Sequence, residues 1–383
     1  MGRDDRLRIG IVGSGYMAKM HSLALRNIGS YAWPNIPKIE MVRMADIDRG
    51  SADAGAQRWG WREACSDYRE VTRADDVDVV VVITPNDSHA EIAIDAFEHG
   101  KHVLCEKPLA ETVKAAERMA NAAERSGRVG IVNFVYRTWP AVELARQLVM
   151  EGEVGEVLHF DGHFFQDYAG DPGLPFSWRF DKKVAGAGAF GDIGSHLTDI
   201  ACALLGPIRR VAAVSRRIQP VRNGPGQSWS EVTVDDLASA LVEFRSGAVG
   251  ALHASWAATG HKCDLGFSII GTKGSLRFDW ERSNELHFFS AGDPQGTGGF
   301  RRIMLGGIHP GAEHFWYAQG QGLGYAEAFV ITHQRLIEAV LAGRTDVRPS
   351  FQEGLHVSRV VDAALRAAEL RAWLEVPPTD AFT

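Results

Sequence analysis

A short apolar run, Leu7 to Val12, feeds directly into Gly13-Ser14-Gly15-Tyr16-Met17-Ala18. Apolar residues then recur at helical spacing through Met20, Leu23, Ala24 and Ile28. Few folds accept that succession. A strand, a tight glycine turn and a helix in immediate order open a dinucleotide-binding βαβ unit, with the G-x-G-x-x-G/A pattern closed here by alanine. Gly13 makes the turn, Gly15 lets backbone N–H groups close on a pyrophosphate, and Ala18 lets helix and strand pack closely. The diphosphate is expected at the helix N-terminus, where the dipole and unpaired amides favour an anion. Tyr16 and Met17 sit at that helix start and are expected beside the cofactor.

A second strand, Ile39 to Ala45, ends in Asp46. An acid there bonds ribose hydroxyls and repels a 2′-phosphate, so NAD is expected in preference to NADP. The separation from Gly15 exceeds the usual spacing of about 20 residues. A Pro- and aromatic-bearing insertion, Gly29 to Pro37, accounts for the surplus and reads as a loop. Asp48 is a rival for the ribose, and Arg49 could receive a 2′-phosphate.

The alternation continues. Val77 to Ile83 is an apolar strand apart from Asp78, and it ends in Thr84-Pro85-Asn86. Ala90 to Gly100 reads as a helix and Lys101 to Cys105 as a strand ending in Glu106-Lys107-Pro108. A long helix to Ser126 and a last strand, Arg128 to Phe134, follow. The expected class is α/β: an N-terminal Rossmann domain, doubly wound on a parallel sheet with right-handed crossovers. At 383 residues the chain exceeds one ordinary core, so a second domain is expected.

Past Arg137 the rhythm changes. One helix, Val142 to Glu151, is followed by strand-like runs at Val157 to Gln166, Arg210 to Arg217, Val232 to Phe244 and Val249 to Ala257. Shorter ones follow at Leu265 to Ile270, Ser275 to Phe278, Glu285 to Phe289 and Arg301 to Leu305, with helices from Ala326 to Ala342 and Glu353 to Trp373. Consecutive strands joined by tight glycine turns mean an open, largely antiparallel sheet in an α+β domain. The expected division is 1–136 for NAD binding and 137–383 for substrate binding and oligomerisation.

Within the second domain, Gly188-Ala189-Phe190-Gly191-Asp192-Ile193-Gly194-Ser195-His196 reads as a glycine-rich loop entering a helix. Asp192 and His196, four apart, would share one helical face. A carboxylate beside an imidazole orients it and tunes its proton affinity near neutrality, as a general base requires. An acid favouring the helix dipole beside an ordinary surface histidine is the plainer alternative. Two loops, Asp167 to Gly188 and Ala291 to Tyr325, are rich in glycine, proline and aromatics. The first carries Trp178-Arg179 and the second His309, His314, Trp316 and Tyr317. Polar groups among flat rings suit a sugar pocket, although such loops are often only surface.

Net charge is −7 without a dense basic cluster, which argues against nucleic acid or an anionic membrane as partner. The four cysteines are far apart, so neither a disulfide framework nor structural zinc is supported, and no metal is expected. The acidic first residues do not read as a secretion signal, and a cytoplasmic location is expected.

Together these elements resemble one family, the glucose–fructose oxidoreductase, inositol dehydrogenase and MocA group. The resemblance rests on the Gly10-to-Ala18 turn, Thr84-Pro85-Asn86 with His89, Glu106-Lys107-Pro108, Trp178-Arg179 and Gly191 to His196. It implies that Lys107, Asp192 and His196 form the catalytic set. Thr84, Asn86, His89, Glu106, Lys107, Trp178 and Arg179 would then surround the cofactor. His196 would take the proton of a secondary hydroxyl while Lys107 stabilises the developing alkoxide. The Lys19-to-Ser22 helix start and the Tyr31-to-Pro34 insertion are similar to the levoglucosan-oxidising subset. The implied substrate is accordingly a cyclic polyol or pyranose-like sugar: an inositol, an aldose or an anhydrosugar. Tyr136 and Arg137 are pocket candidates, followed by Asn133, Arg179 and His309. The resemblance also implies a homo-dimer or homo-tetramer. An NAD-dependent glycosidase that oxidises transiently, and a non-catalytic dinucleotide sensor, remain as alternatives.

Overall fold

The structure, a computed structural model, describes residues 6–31, 36–224, 228–311 and 321–382. The chain forms two compact units. The first comprises Met1–Val135 with Gly324–Leu355, and the second Tyr136–Leu323 with His356–Thr383.

In the first unit, strands and helices alternate as β1 (Arg6–Val12), α1 (Tyr16–Tyr31), β2 (Lys38–Ala45), α2 (Arg49–Trp59), β3 (Glu63–Cys65) and α3 (Arg69–Thr72). They continue as β4 (Val79–Val82), α4 (Asn86–Glu98), β5 (His102–Cys105), α5 (Val113–Ser126) and β6 (Gly130–Val132). Among the described residues these strands make one parallel sheet in the order β3-β2-β1-β4-β5-β6. The reversal of strand order between β1 and β4 puts the carboxyl ends of both strands at a crevice, where such sheets bind ligands. All four valines of β4 are fully buried, as a strand covered on both faces must be.

The second unit opens with α6 (Pro140–Met150) and β7 (Val157–Phe165). After them come the short helices α7 (Lys182–Ala185) and α8 (Ala189–Asp192), then α9 (Gly194–Leu205). The strands β8 (Ile208–Arg216), β9 (Val221–Asn223), β10 (Trp229–Glu231), β11 (Leu237–Phe244), β12 (Val249–Ser255) and β13 (Asp264–Gly271) follow. Next are β14 (Gly274–Asp279), β15 (Glu285–Ser290) and β16 (Arg301–Met304). The chain closes with α10 (Tyr325–Ala342), α11 (Phe351–Leu370) and β17 (Leu374–Glu375). Among the described residues the main sheet runs β16-β15-β14-β13-β7-β12-β11-β8-β17. It is antiparallel except where β12 pairs with β7. α9 lies on its inner face, with Leu197, Ile200 and Ala201 buried.

Two features depart from the sequence reading. The stretch Gly324–Leu355, expected in the second domain, belongs to the first unit. There α10 packs along α1, the peptide of Val132 donates to Pro349 O at 2.9 Å, and Phe351 stacks edge-on against Phe97 at 5.3 Å. Periodicity finds the helix at 326–342 but carries no signal for which core it covers. Asp192 and His196 also do not share a single helix: α8 ends at Asp192 and α9 begins at Gly194, with Ile193 as the joint.

Candidate active site

The glycine turn fits a dinucleotide. Gly13 has φ +112°, and a side chain there would strike Ile83, so only glycine closes the turn. A Cβ at Gly15 would meet no protein atom, which leaves the backbone open to a ligand. Ala18 is fully buried against the sheet, as the third position requires. Asp46, at the carboxyl end of β2, accepts from Ser14 N at 2.9 Å and from Ser14 Oγ at 2.6 Å. Its carboxylate therefore faces the glycine turn. The rival Asp48 is spent as the N-cap of α2, accepting from Gly50 N and Ser51 Oγ. Arg49 turns to Asp53 at 3.0 Å. Tyr16 is 67% exposed, a large ring left at the mouth of the turn, and Met17 is half-buried behind it.

Lys107 lies half-buried at the end of β5, before a cis peptide to Pro108. Its neighbour Glu106 is buried and held from three sides. His21 Nε2 lies 3.0 Å and Asn133 Nδ2 2.6 Å from Oε1, and the Lys107 amide donates to Oε2 at 3.2 Å. Burial alone would raise the Glu106 carboxyl. The bonds and charges of His21, Lys107 and Asn133 outweigh it and hold the group below the usual range. His89 ties this loop to the end of β4, with Nδ1 3.1 Å from Pro108 O and Nε2 2.9 Å from Thr84 O. His89 is fully buried between the two loops. Thr84 also receives a bond from Ser88 Oγ at 2.7 Å, and Asn86 is buried in the first turn of α4.

In the second unit a different chemistry surrounds His196. Its ring is nearly buried, with Tyr136 edge-on at 4.7 Å and Phe164 at 6.2 Å. Tyr136 in turn meets Phe164 and Trp280 edge-on, and its hydroxyl lies 3.6 Å from Cys263 Sγ. The next residue, Arg137, donates to Asp199 Oδ1 at 2.9 Å in a buried ion pair. Asp199 stands three residues beyond His196 on α9, so Tyr136 and Arg137 together grip the turn that carries the imidazole. The Asp192 carboxylate receives the Tyr168 hydroxyl at 3.5 Å.

The glycines ahead of Asp192 have a packing cause. Gly188 presses its backbone on Asp235, and a Cβ there would meet Asp235 O at 1.9 Å. The buried Asp235 carboxylate accepts from Gly188 N at 2.8 Å and Phe190 N at 2.9 Å, fixing the turn that presents Asp192. Burial raises Asp235 despite these donors.

Other candidates are placed less centrally. Arg179 is exposed and stacks over Trp178 at 4.5 Å. His309 closes a local turn, with Gly306 N donating to Nδ1 at 3.0 Å. His314, Trp316, Tyr317 and the Ala32-to-Pro34 part of the insertion lie outside the described residues. Sequence reasoning missed Tyr168, Asp199, Asp235 and His333: Tyr168 bonds Asp192 and Asp199 pairs with Arg137, whereas Asp235 braces the Gly188 turn and His333 reaches Glu106 only through His21. No group of three or more His, Cys, Asp or Glu among the described residues could hold a metal ion. No described helix is long and apolar enough to cross a membrane.

Comparison with known proteins agrees with this geometry. Residues 7–134 match the profile of an oxidoreductase family with an NAD-binding Rossmann fold, and residues 142–277 match a GFO/IDH/MocA C-terminal domain. The chain is 38% identical to a levoglucosan dehydrogenase of Pseudarthrobacter phenanthrenivorans, over 98% of this chain and 100% of that protein. It is 28% identical to a scyllo-inositol 2-dehydrogenase (NAD(+)) of Bacillus subtilis, over 75% of this chain and 78% of the other. A solved levoglucosan dehydrogenase in complex with NADH superposes with a TM-score of 0.95 at 38% identity, covering 98% of this chain and 100% of that one.

Proposed function

This chain belongs to the GFO/IDH/MocA family of NAD-binding oxidoreductases, and from that premise we propose how it oxidises a cyclic sugar or polyol. The substrate in this reading is a pyranose-like ring, an anhydrosugar above all, whose secondary hydroxyl becomes a ketone. NAD, held along the Gly13–Ala18 turn and Asp46, supplies when bound the nicotinamide carbon that accepts the hydride.

The remaining work falls to side chains of the protein. His196 removes the hydroxyl proton, its ring orientation fixed by Tyr136 and Phe164. Asp192 is the carboxylate that orients that imidazole. Lys107 lowers the energy of the developing alkoxide. Tyr136, Arg137 and His309 are the second unit's contribution to sugar binding, Arg137 chiefly by holding α9 through Asp199, and Asn133 is the first unit's.

Two observations carry this reading, one in each unit: an imidazole on α9 set among rings, and a lysine whose amide is fixed by a fully engaged Glu106. A non-catalytic sensor would need neither. We also propose that the enzyme is a cytoplasmic homo-oligomer. In its support, Val214, Leu241, Val249 and Ile270 lie on one face of the sheet, on β8, β11, β12 and β13, each more than 40% exposed, and clustered exposed apolar side chains favour association.

The test is a reduction assay with NAD and NADP against inositols, aldoses, anhydrosugars and glycosides. NADH should accumulate with a free cyclic sugar or anhydrosugar. Aglycone release without NADH would show the glycosidase instead. Tight NAD binding with no turnover on any substrate would favour the sensor.

A further inference from the structure

Four polar side chains form a continuous buried chain in the first unit, beyond anything the oxidation step itself requires. His333, from α10, places Nε2 2.9 Å from His21 Nδ1, and His21 places Nε2 3.0 Å from Glu106 Oε1. Asn133 donates to the same oxygen at 2.6 Å, and the Lys107 amide donates to the other at 3.2 Å. His21, His333 and Asn133 are at most 1% exposed and Glu106 only 6%. We infer that His333 and His21 are positioning residues for Lys107, acting through Glu106, an inference that rests on the reading of Lys107 as catalytic.

Three physical points carry it. A buried carboxylate is costly unless fully hydrogen-bonded, and similar apolar side chains would pack there more cheaply. A charge retained in such a place therefore acts on something, and Lys107, the adjoining residue, both donates its amide to that carboxylate and lies within its field. Second, the tautomer of His21 matters. Burial holds His333 neutral, and a hydrogen on its Nε2, donated to His21 Nδ1, leaves the His21 hydrogen on Nε2, facing Glu106. Without His333, His21 could move its proton to Nδ1 and turn a lone pair on the carboxylate. An orienting partner on the far nitrogen of a histidine commonly has this role. Third, the ring of His21 is seated edge-on to Phe329 at 5.1 Å, so it has little freedom to compensate.

The titratable groups facing Glu106 are His21 from α1, Lys107 beside it, His89 from α4 and Cys105 at the end of β5, with His333 behind His21. Glu106→Gln removes a negative charge from beside Lys107, so the dependence of kcat on pH changes with it.

The experiment compares wild type with Lys107→Met, Glu106→Gln, His333→Leu and His333→Gln. Each is assayed for kcat and KM with the sugar found in the panel, for kcat against pH, for NADH affinity by fluorescence, and for Tm. The expected result is a kcat loss of about tenfold for Glu106→Gln and His333→Leu, the size that loss of an orienting partner produces. KM and NADH affinity stay within about twofold, and both profiles of kcat against pH differ from that of the wild type. His333→Gln, whose amide reaches the place of ring Nε2, recovers most of the activity. If His333→Leu and Glu106→Gln lower only Tm, or His333→Gln rescues nothing, the inference falls while Lys107→Met can still uphold the catalytic reading. If Lys107→Met leaves kcat unchanged, both fall together.

Discussion

Two buried titratable groups in this molecule are held by opposite means. Glu106, in the first unit, is ionised and bonded on both oxygens by His21, Asn133 and the Lys107 amide. His196, in the second, stands against rings, with Tyr136 at 4.7 Å and Phe164 at 6.2 Å. The first arrangement fixes charge and tolerates little change in hydrogen bonding. The second fixes the shape of the space around the imidazole. A substitution that keeps shape but removes charge should therefore hurt at Glu106, whereas one that removes volume should hurt around His196.

The largest effect is expected at the base itself. His196→Ala should lower kcat by about 10²–10⁴ while NADH still binds, as fluorescence titration would register. Wild-type turnover would take His196 out of the mechanism. Next comes its enclosure. Tyr136→Ala should cost about 3 kcal/mol of stability in denaturant unfolding and lower kcat as well, because a buried ring is lost beside the imidazole. Tyr136→Phe should stay close to wild type, since the packing edge is kept. If both behave alike, shape is not what positions His196.

His356 extends the contrast. It is buried, neither ring nitrogen has a hydrogen-bond partner among the described residues, and Phe382 stands edge-on at 5.7 Å. Burial, then the charges of Arg359 and Arg245, push it down to about 4. The unfolded chain takes up this proton first, near pH ~6.5, so stability is whole above that value and is lost as pH falls toward 4. The loss from this group is on the order of 3 kcal/mol. His356→Phe should flatten that part of a pH series of thermal melts, and an unchanged acid slope would locate the sensitivity elsewhere. The smallest effect concerns the cofactor. Asp46→Ala should reduce the preference for NAD over NADP by roughly tenfold, about 1.4 kcal/mol. A preference equal to wild type would show that Asp46 serves only to brace Ser14.

Local chemistry made much of this molecule legible. The strand, glycine turn and helix at Leu7 to Ile28 announced a Rossmann unit because each residue type there has one dominant reason to occur. Glu106-Lys107-Pro108 stood at a strand end, where ligands bind, and Asp192 and His196 were close in sequence. What stayed hidden joins distant residues. His333 meets His21 across 312 positions, and Asp235 braces the Gly188 turn from 47 positions away. No periodicity encodes such pairings. The joint at Ile193 was invisible for another reason: Gly191 and Gly194 permit a break without requiring one, and contacts decide it. Short elements such as β3 and α3 fell below the length at which a pattern can be recognised.

Lys107 and His196 are proposed to work jointly in one reaction step, and a double-variant cycle measures that coupling directly. Single-turnover NAD reduction with the preferred cyclic sugar should be compared for wild type, Lys107→Met, His196→Ala and the combined variant. Residues acting as a unit give losses far short of multiplying, so the combined variant should be little slower than the worse single one. Losses that multiply in full would mean that the two side chains act independently, and the mechanism proposed here would be wrong.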